Sequence, residues 1–252
     1  MLPGVERRYV GGPHTAARTA VVWEVLRREI ERASARRSRL SVVDVGGGTG
    51  GFAVPLAQAG HYITVVDASP DALAALTRRA AEAGVAGRVR AVQGDADAFA
   101  DLVAPGGADL VLCHSVLEVV DSPATVANAL AATLRPGGAA SVIVANRVAA
   151  ILARAMGGQL ETAAVLLQDP DGRSGVRDTL RRRFDADSAT ELLGKAGLVV
   201  EEIHGVRVVA DLVPGTVLER DHEALATFEL ATAARSPFRD IATQLHLLAR
   251  RP

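Results

Sequence analysis

The chain has 252 residues and a formal net charge of −1 at pH 7, and 49% of its residues are hydrophobic while only 3% are aromatic. This length and apolar content suffice for a full core in one domain with insertions, and the charge excludes an overall polycation. The single cysteine, Cys113, excludes a disulfide framework within the chain and a cysteine-rich zinc site, and it favours a reducing, cytoplasmic location. Neither a secretory signal nor a membrane span is expected, because polar and charged residues interrupt the most apolar stretch, 139–156.

In chain order, the first predicted element is a helix that begins at Thr15, because apolar side chains recur at spacings of three and four residues as far as Ile30. Arg18 falls on the same apolar face of this helix. Short β-branched segments then alternate with helical segments, which is typical of a parallel, doubly wound sheet. The strands of this half are predicted at 41–45, 62–66, 88–92 and 109–113, and its helices at 51–59 and 71–83.

The second half begins with a helix predicted at 122–134, in which Ser122 and Pro123 suit the N-cap and the first helical position. The periodic pattern loosens over 146–184, and we interpret this segment as an insertion over the site. The other predicted elements are a turn at 135–138, a strand at 139–144, a helix at 148–156 inside the insertion, helices at 188–196 and 222–234, and strands at 198–206 and 241–248.

A glycine-rich turn joins the first predicted strand to the helix that follows it. Glycine accepts the positive φ angles that such a turn needs and lets a ligand lie against the backbone, while the helix offers unpaired N–H groups. Two patterns fit the same residues. The dinucleotide pattern G-x-G-x-x-G uses Gly46, Gly48 and Gly51, whereas D-x-G-x-G-x-G uses Asp44, Gly46, Gly48 and Gly50 and resembles the first motif of S-adenosylmethionine (SAM) methyltransferases.

Acidic residues at the next strand ends bear on the choice of cofactor. Asp67 ends the second predicted strand and suits the ribose hydroxyls of either cofactor, so it does not discriminate. Asp95 follows the third strand, where SAM methyltransferases place an acid against the adenine amino group, and 134–138 resembles the turn that they carry before the fifth strand. In that family the acid at Asp44 supports the glycine loop behind the methionine part of the cofactor. The sequence thus favours SAM, with S-adenosylhomocysteine as product, over a nicotinamide cofactor or an inactive fold.

Segments along nearly the whole chain resemble the tRNA carboxymethoxyuridine methyltransferases, which esterify the carboxylate of a modified wobble uridine. The segments are 18–23, 114–118, 121–123, 134–138, Asn146, 205–208, 223–225, Glu229 and 247–252. The resemblance implies an α/β fold with a doubly wound, seven-stranded, mostly parallel, Rossmann-like sheet. It implies that Arg18 binds the cofactor carboxylate and that His114 lines the cavity beside the cofactor. The other cofactor-binding residues that it implies are Asp44, Gly46, Gly47, Gly48, Gly50, Asp67, Ala68, Asp95 and Ala96.

We expect one methyltransferase domain over 1–252. Its parts are an N-terminal helical cap at 1–39, a SAM-binding core at 40–145, an insertion or lid at 146–186, and the C-terminal part of the core at 187–252.

The sequence departs from that family where a substrate would enter. A tRNA loop is usually held by stacking aromatics and a basic surface, and both are sparse here. Both tRNA and a small-molecule carboxylate or hydroxyl therefore stay open as acceptors, the last two as in secondary metabolism. The departures are Val119, Val144, Ala145, Val209, Ala210 and Asp211 in place of expected aromatic or histidine residues, and the dispersed arginines Arg173, Arg177, Arg181, Arg182 and Arg183 in place of a lysine-rich run.

The residues fit two acceptor chemistries. A carboxylate is already ionised at pH 7 and needs no base, and an arginine can hold it bidentately. Arg207 and Arg147 are the candidates, with Asn146 orienting the acceptor, although Arg207 would alternatively form a surface ion pair with Glu201 or Glu202. A hydroxyl acceptor would need a base, for which His114 is best placed, unless it only packs on the cofactor.

The histidines and the cofactor motifs bear on functions other than methyl transfer. The remaining histidines show no metal-ligand spacing, so no metal is expected. A SAM-binding regulator and an RNA-binding protein without catalysis stay open as alternatives.

Overall fold

The computed structural model describes residues 13–175 and 178–252. The first twelve residues of the expected helical cap and Arg177 of the insertion lie outside the described residues. Seven strands form one sheet in the order β3-β2-β1-β4-β5-β7-β6. The strands are β1 (Ser41–Val45), β2 (Tyr62–Asp67), β3 (Val89–Gln93), β4 (Ala108–His114), β5 (Leu134–Ala145), β6 (Val199–Val206) and β7 (Gln244–Arg250).

The sheet is mostly parallel. Neighbours from β3 to β5 pair in parallel, whereas β7 runs antiparallel to both β5 and β6. The expected α/β class with seven strands is therefore confirmed. Because β6 points the same way as β5, six strands have their carboxyl ends at one edge of the sheet, which we call the carboxyl edge. Ligands of such open sheets bind in the crevice beyond this edge.

Helices cover both faces of the sheet. Those that lie before β4 in the chain, α1 to α3, pack on one face, while α4 and α7 pack on the other. Side chains alternate along β4, so that Leu110 and Leu112 meet the first layer while Val111 and Cys113 meet the second. The helices are α1 (Pro13–Ser34), α2 (Ala53–Gln58), α3 (Pro70–Glu82), α4 (Pro123–Thr133), α5 (Arg147–Met156), α6 (Leu160–Gln168), α7 (Ala186–Lys195), α8 (Gly215–Arg220) and α9 (His222–Thr232).

The predicted cap of α4 is confirmed. The Ser122 hydroxyl accepts the Thr125 N–H at 3.2 Å, and Pro123 takes the first helical position. The predicted turn at 135–138 is wrong as a separate loop, because these residues belong to β5. They lie where the pairing register with β4 shifts between Ala108 and Leu110, so the extra residues are absorbed as an irregularity of the ladder.

Two helices were not expected from the sequence. The segment of α6, LETAAVLLQ, is apolar on several sides, so its buried face does not stand out as a periodic pattern. The helix α8 spans only six residues after Pro214. Within the described ranges, no helix combines the length and the apolarity that a membrane crossing requires.

The insertion closes on itself at the carboxyl edge. Arg147 donates its backbone N–H to Phe184 O at 2.8 Å, and Phe184 donates its own to Ala145 O at 2.9 Å. Asn146 and Phe184 form an isolated parallel bridge. The segment between them therefore leaves and re-enters the fold at the end of β5.

Candidate active site

The glycine turn follows β1 at the carboxyl edge. Three of its glycines have positive φ angles, namely Gly46 at 70°, Gly48 at 55° and Gly50 at 80°. Gly51 does not, and a Cβ at Gly51 would meet nothing within 4 Å. In a dinucleotide site the third glycine of G-x-G-x-x-G allows close helix–strand packing, which Gly51 does not provide. The glycines that the backbone requires are therefore those of D-x-G-x-G-x-G.

Close packing fixes most of this turn and leaves one side open. A Cβ at Gly46 would lie 2.5 Å from Val116 Cγ2, and one at Gly47 would lie 2.5 Å from Asp44 Oδ2. At Gly48 the nearest atom to such a Cβ is Asp67 Oδ2, at 3.9 Å. The open space beside Gly48 is thus bordered by the carboxylate that the sequence assigned to a ribose.

Asp67 is tied to the same turn. Its Oδ2 accepts the Gly48 N–H at 2.8 Å, and its Oδ1 accepts the Ser69 N–H at 2.9 Å. A carboxylate has about four acceptor positions, so both oxygens keep capacity for ribose hydroxyls. The structure therefore holds Asp67 in place and leaves it able to bind a ligand.

Asp44 supplies a buried carboxyl below the turn. Its side chain is 2% exposed, and its Oδ2 has no hydrogen-bond partner. Burial, with a smaller effect of the Asp67 charge, raises the pKa of Asp44 to about 7. An unpartnered buried carboxylate oxygen costs free energy unless a donor or a cation meets it. The ammonium group of a SAM methionine part would be such a partner, so the residues present fit this cofactor.

Asp95 lies at the end of the neighbouring strand β3. It is exposed and caps the short 3₁₀ helix Ala96–Asp101 by accepting the Asp97 N–H at 3.0 Å. Gly94 donates its N–H to Asp67 O at 3.1 Å, which joins this segment to the ribose side of the site. Ala96 opens the 3₁₀ helix, and Ala68 follows Asp67 at the surface. The predicted adenine side thus lies beside the predicted ribose side.

His114 ends β4 next to the glycine turn. Its ring meets Phe52 edge-on with a centroid distance of 4.8 Å, and its Nε2 lies 2.9 Å from Ser141 Oγ. Its Nδ1 has no partner. Burial lowers the pKa of His114 to about 3, so the ring is neutral at pH 7. It is accordingly a weak base by itself.

Arg18 and Arg207 meet at Asp211. Asp211 Oδ1 lies 3.1 Å from Arg18 Nη2, and Asp211 Oδ2 lies 3.3 Å from Arg207 Nη1. The alternative ion pair of Arg207 is wrong, since Glu201 pairs with Arg250 at 2.6 Å and Glu202 with Arg28 at 2.8 Å. Sequence reasoning named Asp211 only as a departure from the family, and no periodic pattern links it to the distant Arg18.

Arg207 adopts an unusual backbone conformation. Its φ angle is +59°, and its Nε is buried without a hydrogen-bond partner. Left-handed φ in a residue with a long side chain costs about 1–3 kcal/mol, and such residues cluster at functional sites. The guanidinium is therefore held at the carboxyl end of β6 with one donor unused.

The other two residues predicted to bind the acceptor, Asn146 and Arg147, form hydrogen bonds with backbone groups. Asn146 is 2% exposed, its Nδ2 donates to Asp240 O at 2.9 Å and Ala242 O at 2.7 Å, and its Oδ1 accepts the Val148 N–H at 3.0 Å. Arg147 Nη2 donates to Leu167 O at 2.6 Å, which ties α5 to α6. Both amide N–H groups of Asn146 are used in this way.

Three arginines of the insertion are bonded to other groups of the protein. Arg181 pairs with Asp121, while Arg182 Nη1 donates to Leu117 O at 3.0 Å and Val120 O at 2.6 Å. Arg183 forms a buried pair with Asp178 at 2.6 Å. Arg181 and Arg182 anchor the insertion to the segment after β4, whereas Arg183 pairs within the insertion, and these three side chains do not form a free basic surface.

Glu118 is a second buried carboxyl, in the segment after β4, and the sequence indicated it only as part of a motif. Its side chain is 3% exposed and its Oε2 lacks a partner. Burial raises the pKa of Glu118 to about 7. Across the described ranges no three histidine, cysteine or acidic side chains come together as a metal site would require.

The chain is similar to known methyltransferases. Residues 42–138 match a family model described as a methyltransferase domain. The chain is 28% identical over 250 residues to tRNA 5-carboxymethoxyuridine methyltransferase of Escherichia coli (strain K12), with 98% of this chain and 92% of the relative covered. It is 32% identical over 183 residues to ubiquinone biosynthesis O-methyltransferase of Xanthomonas euvesicatoria pv. vesicatoria (strain 85-10), with 73% and 70% covered.

A solved structure supports the same fold. It is an S-adenosylmethionine-dependent methyltransferase from Mesorhizobium loti, which superposes with a TM-score of 0.65 at 19% identity and covers 95% of this chain and 100% of its own.

Proposed function

The chain belongs to the family of class I S-adenosylmethionine-dependent methyltransferases, and on that premise we propose that it transfers a methyl group to a carboxylate oxygen. SAM is the methyl donor of this family and S-adenosylhomocysteine the product. The donor supplies a methyl group that its sulfonium has already activated, so the protein has chiefly to hold the acceptor in line with the breaking bond. Such positioning is worth about 7–11 kcal/mol.

Cofactor binding is assigned to the residues around the glycine turn. Asp67 accepts the ribose hydroxyls beside the open face of Gly48, and Asp44 meets the ammonium of the methionine part through its unpartnered Oδ2. Asp95 and Ala96 border the adenine, and Arg18 binds the methionine carboxylate. The ion pair of Arg18 with Asp211 supports this role, because the guanidinium already contacts one carboxylate.

The observation that carries the carboxylate acceptor is Arg207. It is held at a left-handed φ, its Nε is unpartnered, and it already contacts one carboxylate. Two arginines share Asp211, so one positive charge remains uncompensated within this group. A carboxylate acceptor would compensate this charge by a bidentate pair with Arg207, and its reaction needs no base.

The insertion, 146–186, is proposed as the cover of the acceptor. Asn146 and Arg147 act by holding its first turn and its two helices, as their hydrogen bonds to backbone groups indicate. Both ends of the insertion meet beside β5 at the carboxyl edge. A cytoplasmic location is part of the same proposal, supported by the single buried cysteine, Cys113.

The acceptor is either a modified wobble uridine of tRNA or a small carboxylic acid. Likeness over nearly the full chain to the Escherichia coli tRNA enzyme supports the first. The second is supported by the low aromatic content, 3%, and by the pairing of the insertion arginines Arg181 and Arg183 with acidic residues of this chain. Incubation with methyl-labelled SAM and separate pools of tRNA and small carboxylic acids tests the proposal. Label that mild alkali releases from either pool supports it, and label only in a pool of phenols and alcohols would contradict it.

A hydroxyl acceptor is the second candidate. His114 favours it, because its Nδ1 has no partner and its ring is neutral. The relatives named as ubiquinone biosynthesis O-methyltransferases point the same way. In that case His114 would receive the hydroxyl proton, and the rate would depend on its protonation.

A further inference from the structure

Three polar side chains lie next to one another on the face of the sheet that α1 covers. They come from adjacent strands and are His114 of β4, Ser141 of β5 and His246 of β7. Ser141 and His246 are both 0% exposed. Ser141 lies between the apolar Ala139 and Ile143 of its own strand, while His246 is next to the buried His204 of β6, with a ring-centroid distance of 5.8 Å. Buried polar side chains cost free energy unless they bond to one another. No part of cofactor or acceptor binding described above requires Ser141 or His246.

One hydroxyl links the two imidazoles. Ser141 Oγ lies 2.9 Å from His114 Nε2 and 2.8 Å from His246 Nε2. A serine hydroxyl has a single proton, so it donates to one of these nitrogens and must accept from the other. One histidine therefore carries its proton on Nε2, while the other has a bare Nε2.

Because both rings are neutral, the protonation of each Nε2 also determines the protonation of Nδ1 in the same ring. Burial lowers the pKa of both histidines, to about 3 for His114 and well below the ordinary value for His246. A neutral imidazole has only one N–H, so a proton on Nε2 leaves Nδ1 bare, and a bare Nε2 places the proton on Nδ1. The two rings must then be opposite tautomers.

We propose that Ser141 and His246 are positioning residues that fix the tautomer of His114, and through it the character of Nδ1 as donor or acceptor. The direction rests on the proposed function. A carboxylate acceptor offers only lone pairs, so it requires a proton on His114 Nδ1. Ser141 then donates to His114 Nε2, and His246 donates its Nε2–H to Ser141. A hydroxyl acceptor that uses His114 as a base selects the reverse arrangement.

Nitrogen-15 NMR of the labelled, full-length protein tests the coupling without any ligand. Long-range ¹⁵N–¹H spectra show which nitrogen of each imidazole is protonated, and the variants His114→Asn and His246→Asn assign the signals. We expect the proton on Nδ1 in His114 and on Nε2 in His246. His61 is an internal control, because its Nδ1 accepts the Leu40 N–H at 3.2 Å, which requires a proton on Nε2.

Substitution of the serine gives a second readout. Ser141→Ala should mix the tautomers of both histidines and lower kcat without raising KM for SAM, and Ser141→Thr, which keeps the hydroxyl, should restore both. Ser188→Ala is the matched control, since it removes one hydrogen bond of the capping box of α7 on the other face of the sheet and leaves the histidines untouched.

The outcomes separate the two proposals. The same tautomer in His114 and His246 of the wild-type protein would overturn the coupling, whatever the acceptor is. Opposite tautomers with the proton on His114 Nε2 would support the coupling and count against a carboxylate acceptor.

Discussion

The backbone N–H of Gly48 donates to Asp67 Oδ2 at 2.8 Å, so the turn after β1 and the acid at the end of β2 hold each other in place. Asp67→Ala removes this bond and the charged acceptor of two ribose hydroxyls. Binding of S-adenosylhomocysteine should weaken by about 2–3 kcal/mol, or about 30- to 150-fold, in calorimetry. Asp67→Asn, which keeps one carbonyl oxygen for Gly48, should lose less. Unchanged binding by Asp67→Ala, or tighter binding of NADH than of SAM, would refute the cofactor site.

Arg18→Met should weaken binding of S-adenosylhomocysteine but leave 5′-methylthioadenosine unaffected, because only the former has a carboxylate for the guanidinium. Arg27→Met is a matched control on the same helix, where Arg27 pairs with the exposed Glu24 and Glu31. Calorimetry with both ligands distinguishes a direct contact from a displaced helix. Equal losses for the two ligands would argue for displacement.

Asp44 should make stability and cofactor binding respond to pH in opposite directions. Its pKa in the folded protein, about 7, is raised above the ordinary value, so folding favours the protonated form. The contribution of Asp44 to the free energy of unfolding should therefore increase as pH falls from 8 to 6, at most by about 1.4 kcal/mol per unit. Glu118 contributes in the same direction, whereas the buried, neutral His114 and His246 contribute in the opposite direction. Asp44→Asn should remove the contribution of Asp44 to the pH dependence of the free energy of unfolding, as denaturation of both proteins at several pH values would show.

Cofactor affinity should decrease over the same pH range, because the ammonium of the methionine part prefers the ionised Asp44. Below pH 7 the loss should approach about tenfold per unit in the wild-type protein. The affinity of Asp44→Asn should be lower and independent of pH between 6 and 8. A wild-type affinity that is constant from pH 6 to 8 would exclude an ionic contact at Asp44.

Arg207→Gly should separate stability from activity. Glycine adopts a φ of +59° without the cost that a side chain incurs, about 1–3 kcal/mol, so the variant should keep or raise its Tm despite the lost pair with Asp211. Methyl transfer should nevertheless fall steeply. Arg207→Lys keeps the charge but loses the bidentate fork, and it too should lower kcat/KM. Wild-type activity in both variants would remove Arg207 from the acceptor site.

Local patterns predicted the glycine turn, Asp67 and the cap at Ser122 because each depends on residues close together in the chain. Asp211 and Ser141 could not be predicted in the same way. Asp211 gains its role from Arg18 at the start of α1, and Ser141 from two histidines on other strands, so only the assembled sheet brings these groups together. The helix α6 was missed because its apolar residues do not form one stripe.

The most direct test of a carboxylate acceptor is the stability of the labelled product in mild alkali. A methyl ester should release its label as methanol. The rate of methyl transfer at saturating SAM should also be nearly constant from about pH 6 to 8. His114→Asn should lower that rate by much less than the factor of about 10² to 10⁴ that the loss of a general base typically causes. An alkali-stable methyl product, formed at a rate that disappears in His114→Asn, would contradict the carboxylate acceptor and establish a hydroxyl or amine in its place.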